Sequence, residues 1–173
     1  MIPWIQALLA VGISGIAAYT DKKTGKIPNA LCFAGMGAGL VLACIGGGLN
    51  GLAIAFAGAF AAGLVPLVLF RMDAMGGGDV KLFFSLGSLV GIGAALEIEM
   101  LSFVIGALWG IGIWARQRTL LAGLKGVLVF AVPVLGKRLR AAGHIPLKTE
   151  IRFAPAIFIA ALLVIGRSAA ELL

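Results

Sequence analysis

Seven acidic residues, Asp21, Asp73, Asp79, Glu97, Glu99, Glu150 and Glu171, make up the whole acid inventory of this 173-residue chain. Asp21 follows one long apolar run and Asp79 precedes another, which is where a pair of carboxyl groups could do chemistry together. Two carboxyl groups within about 3 Å cannot both ionise, so they share a proton. The charged member can then deprotonate a water while the protonated member polarises a peptide carbonyl. That is aspartic-protease chemistry. Other reaction types find little to work with. Cys32 and Cys44 lie in one apolar stretch, about 18 Å apart along a helix, too far to bridge. No Cys-x-x-Cys pair exists and the single His144 has no His or Cys close by, so a thiolate or histidine metal site is not expected.

The elements that must position these residues are membrane helices. The chain is 61% apolar and 12% charged, with a mean hydropathy of +1.12, against roughly 45–50% and about 25% in soluble domains. The expected fold is therefore all-α: a polytopic membrane helix bundle of about six transmembrane helices, forming one domain over 1–173. The apolar runs are 2–20, 30–48, 50–70, 80–98, 100–115 and 153–170. The first nineteen residues lack the basic start of a cleavable signal and read as a retained span. A further run, 120–136, is interrupted by Lys125 and Pro133 and is assigned to the cytoplasmic interface. With that assignment thirteen of the fourteen Lys and Arg residues fall on one side, leaving Arg167 opposite with Glu97, Glu99 and Glu171. The positive-inside tendency makes the basic side cytoplasmic and puts both termini outside. The net charge of +7 is thus topology, and nucleic acid is not an expected partner. Trp4, Trp109 and Trp114 fit interfacial anchors. The Gly-x-x-x-Gly spacings at Gly35–Gly39, Gly87–Gly91 and Gly106–Gly110 fit close helix packing.

This topology brings Asp21 and Asp79, 57 residues apart, to one depth at the cytoplasmic boundary. Gly76, Gly77 and Gly78 give a backbone open to an extended substrate, and Asp79 falls where an N-cap would precede the fourth helix. Ile27, Pro28 and Asn29 make the connection after Asp21 short and ordered. Lys81 either lowers the pKa of Asp79 or meets lipid phosphate, and Asp73 either assists the pair or is a solvated loop charge. Helix-dipole reasoning makes Asp79 the ionised partner and Asp21 the protonated one. A lone Asp at a helix start also serves as a cap, and one beside lysines as an interface charge, so spacing alone leaves those readings open. A small transporter that binds a cation or relays protons at these aspartates is the rival from another class, although its site should lie near the midplane.

Asp21, followed by Ile27-Pro28-Asn29, together with Met75-Gly76-Gly77-Gly78-Asp79-Val80-Lys81-Leu82, resembles the type IV prepilin peptidase family of aspartic membrane proteases with its Gly-x-Gly-Asp motif. Phe153-Ala154-Pro155-Ala156 is similar to that family's late Phe-Gly-Pro element. The resemblance implies that Asp21 and Asp79 are the catalytic pair. It implies removal of the basic leader of prepilin-like precursors at the cytoplasmic face of the cell inner membrane, with the lipid bilayer as the other partner. It implies no cofactor. Many bacterial members add an N-terminal region with paired Cys-x-x-Cys motifs and an N-methylating activity; neither is present, so a short, peptidase-only form is expected. An archaeal preflagellin peptidase is the alternative within the same resemblance.

The topology predicts that single cysteines replacing Lys125 and Arg140 are both labelled from the cytoplasmic side. Labelling of residue 140 from outside alone would mean that 120–136 crosses.

Overall fold

In the computed structural model, residues 4–72, 74–116 and 152–170 are described, and all regular structure among them is helical. Four helical elements result: α1 (Trp4–Thr24), α2 (Asn29–Arg71), α3 (Gly77–Arg116) and α4 (Ala154–Ala170). α2 and α3 are each long and apolar enough to cross a membrane. The chain divides into two compact units, Met1–Val104 with Arg152–Leu173, and Ile105–Ile151. Every contact described below lies within the first.

α2 is a hairpin in disguise. Gly48 has φ +57° inside it, a left-handed backbone that glycine adopts at no steric cost. Gly35 packs on Ser85 and Gly39 on Ser88, so the first half of α2 runs parallel to α3. Gly63 packs on Phe84 and Gly58 on Gly87 and Gly91, so the second half runs antiparallel to it. The two halves therefore run in opposite directions, and Gly51 closes against the Ala43 carbonyl.

α3 folds back in the same way at Gly91, φ +78°. The rings of Phe83 and Phe103 lie 6.2 Å apart, whereas twenty residues of straight helix would separate them by about 30 Å. This moves a boundary predicted from hydropathy. The runs 80–98 and 100–115 were divided at the only acids in that stretch, but the chain turns at Gly91, where the backbone rather than the polarity permits it. Glu97 and Glu99 consequently sit in the second half of α3. Glu97 pairs with Arg167 of α4 at 2.5 Å. Glu99, expected as an interfacial charge, is 4% exposed, and its Oε1 has no hydrogen-bond partner.

α1 packs chiefly on α4, with Gly15 against the Phe158 ring, and also contacts α2. Without a hydrophobic drive between helices in lipid, such close backbone approaches supply the packing. Of the spacings singled out above, Gly35, Gly39 and Gly87 do this, while Gly91 makes the turn. Cys32 is buried and Cys44 exposed, both as free thiols.

A Cβ on Gly87 would stand 2.8 Å from the Ala59 Cα and overlap the Gly58 carbonyl, whereas one on Gly46 would meet nothing within 4 Å. Gly87→Ala should lower stability in detergent by about 1–3 kcal/mol, the usual range for overpacking. Gly46→Ala should leave it unchanged, and thermal unfolding of the two variants side by side measures the difference.

Candidate active site

Asp21 stands one turn from the end of α1. The helix stops at Gly25, whose φ of +67° suits the left-handed position after a helix C-terminus and whose N–H donates to the Asp21 carbonyl at 2.9 Å. The chain then runs through Lys26, Ile27 and Pro28 into α2, with Pro28 in the extended conformation at the α2 N-cap. Asp79 stands in the first turn of α3. It is not the N-cap expected from sequence, because the Asp79 and Val80 amides both donate to the Gly76 carbonyl, at 3.1 and 3.3 Å, which starts the helix earlier.

The glycines ahead of Asp79 are placed by contact. A Cβ on Gly76 would stand 3.2 Å from Asp79 Oδ2, one on Gly77 3.2 Å from the Phe70 ring, and one on Gly78 3.1 Å from Ile27 Cβ. The three residues thus let the start of α3 close on the Asp79 carboxyl, on the end of α2 and on the loop after Asp21. The Lys81 Nζ donates to Asn29 Oδ1 at 2.8 Å, tying α3 to the start of α2. Asp21, Asp79, Gly76, Gly77, Gly78, Pro28, Asn29 and Lys81 therefore gather at one end of the helices. Asp73, Glu150, His144 and the 120–136 run lie outside the described residues. Among the described residues no three His, Cys, Asp or Glu side chains gather to hold a metal ion.

Both aspartates flank the apolar runs 2–20 and 80–98, and each has one buried carboxyl oxygen without a hydrogen-bond partner, Asp21 Oδ2 and Asp79 Oδ1. Burial pushes the Asp79 carboxyl up to about 7, with the negative charge of Asp21 adding to the effect. Burial raises Asp21 as well, but two contacts oppose it: the Arg152 guanidinium and a hydrogen bond donated by the Ala154 amide. Burial thus acts on both carboxyls, and at Asp79 it works against the helix dipole, whose effect is about 0.3–1 kcal/mol. Arg152 was missed as a site residue because it sits 131 positions from Asp21. The available signal was its place directly before Phe153-Ala154-Pro155.

The profile of the type IV leader peptidase family matches residues 8–111, and the chain belongs to that family. The prepilin peptidase EppA of Methanothermobacter thermautotrophicus is 40% identical over 105 residues, a match covering 52% of this chain and 26% of that relative. No solved structure matches the chain.

The raised Asp79 value has a consequence for stability. Proton binding by folded Asp79 favours the native state fully below its ordinary value of 3.8, and that contribution is lost as pH rises towards about 7. Asp79→Asn removes the ionisable group, so the variant should unfold at a higher temperature than the wild type at pH 8, with the advantage disappearing near pH 4. An equal loss of stability at both pH values would contradict the assignment.

Proposed function

We propose that this chain is an aspartic endopeptidase of the cytoplasmic membrane that removes the basic leader from prepilin-like precursors, with Asp21 and Asp79 as its catalytic pair. The single observation that carries the proposal is that Asp21 and Asp79, from helices distant in sequence, stand at the same end of the helices, each with a buried, unpartnered carboxyl oxygen and in unequal electrostatic settings. An enzyme that needs one acid and one base from two identical side chains needs that inequality. Membership of the leader peptidase family and the likeness to a named prepilin peptidase support the reading from outside the geometry.

The chemistry follows from the charge assignment. Asp21, ionised, takes a proton from water as the water oxygen attacks the scissile carbonyl. Asp79, protonated, donates to the carbonyl oxygen as it gains negative charge. Collapse of the tetrahedral intermediate re-forms the carbonyl and returns a proton to Asp79, while the proton held by Asp21 passes to the leaving amine. The unpaired oxygens, Asp21 Oδ2 and Asp79 Oδ1, are the atoms free to meet water and the peptide group. Gly76, Gly77 and Gly78 support the turn beside Asp79, while Pro28, Asn29 and Lys81 support the loop beside Asp21.

In this reading the hairpins of α2 and α3 supply four crossings and α1 and α4 two more, making six with both termini outside. The aspartates then face the cytoplasm, where a basic leader would lie ahead of an apolar segment of its precursor. A transport role for the same carboxyls fits less well, because both stand near helix ends rather than at mid-bundle.

Purified protein in detergent or proteoliposomes should shorten a prepilin-like precursor at the junction of its basic and apolar segments. Asp21→Asn and Asp79→Asn should each lower cleavage by at least about 10³-fold, the scale on which acid–base partners act. Substantial processing by either variant would remove that residue from the pair.

A further inference from the structure

Three consecutive residues at the entrance to α4 are each anchored to the helices that carry the aspartates. Arg152 donates from Nη1 to the Lys22 carbonyl, next to Asp21. Phe153 packs its ring 6.4 Å from Phe83 and 5.6 Å from Phe103, and Phe83 lies one helical turn beyond Asp79. The Ala154 amide donates to the Asp21 carboxylate. The tripeptide is therefore a strap that fixes the end of α1 against the start of α3. Its cation is not needed for packing, since Arg152 is exposed while Ala154 is fully buried.

We propose that Arg152 is a positioning residue for the aspartate pair, holding Asp21 as the charged, water-activating member. The proposal rests on the peptidase reading. The strap orients the guanidinium through the Lys22 carbonyl, next in sequence to Asp21, whose ionised form the positive charge of Arg152 favours. Among the described residues no other cation takes its place. Lys22, Lys23 and Lys26 are exposed to solvent on the α1 side. Lys81 of α3 is engaged with Asn29. α2 carries only Arg71, in its last turn, and the one charge of α4 is Arg167, also in its last turn. From α3 the group that faces Asp21 is Asp79 itself. Removing the Arg152 charge makes both ionisations of the pair harder, so the two limbs of a bell-shaped activity profile move together.

The test is the pH dependence of precursor cleavage by the wild type, Arg152→Gln and Arg152→Lys in proteoliposomes, with membrane insertion and thermal unfolding measured alongside. Arg152→Gln should move both limbs to higher pH by roughly one unit, the lower end of what an adjacent opposite charge contributes. Arg152→Lys should restore most of that shift. A profile for Arg152→Gln that superimposes on the wild type, or is merely lower at every pH, overturns the proposal. So does a Gln variant that fails to insert while the Lys variant inserts but keeps a displaced profile, because the guanidinium would then serve the fold. Failure of the wild type to cleave the precursor counts against the peptidase reading instead, which keeps the two failures distinct.

Discussion

A carboxyl group held out of water at the end of an apolar helix is the constraint around which this end of the molecule is organised. The desolvation of an unpaired carboxylate amounts to several kcal/mol, so such a group keeps its proton into the neutral range unless donors or a cation compensate it. Asp79 lacks that compensation and burial raises it; Asp21 is raised too, but receives the Ala154 amide and the field of Arg152. Chemical identity is the same at the two positions, and the difference in behaviour comes entirely from what the fold places beside each.

That placement depends on helices that approach one another at backbone distance. Gly58 against Gly87, Gly39 against Ser88 and Gly63 against Phe84 bring both halves of α2 onto the first half of α3. The first half of α3, residues 77–90, is about 21 Å long. Asp79 is accordingly carried on a short segment whose direction is set by the turn at Gly91 and whose start is set by the Gly76 carbonyl. Glu99 is a second carboxyl with an unpaired buried oxygen, but it belongs to the returning half of α3.

Much of this was legible in the residues. Hydropathy revealed helices interrupted near 20–30 and 71–79, and the topological argument brought Asp21 and Asp79 to one end before any contact was known. Glycine spacing pointed to Gly35, Gly39 and Gly87 as close-packing positions. What the residues did not reveal has physical causes. The break at Gly91 lies within an apolar run and is a property of backbone φ, which polarity does not report. The burial of Glu99 followed from that error. The helix dipole is local and readable from position, whereas the desolvation of each aspartate and the reach of Arg152 are tertiary and were not legible. Asp79 as a first-turn residue instead of an N-cap differs for a similar reason: glycine at 76 offered a carbonyl and no side chain to compete for the cap.

The central claim is that the two aspartates divide their roles, with Asp79 holding the proton and Asp21 the charge. Infrared difference spectroscopy with isotope labelling of aspartate alone tests it most directly. The chain has just three aspartates, Asp21, Asp73 and Asp79, and the label leaves the buried Glu99 silent. At pH 6 the wild type should show the stretch of a protonated, poorly hydrated carboxyl that survives in Asp21→Asn and is lost in Asp79→Asn. A band that instead survives in Asp79→Asn and is lost in Asp21→Asn would contradict the account.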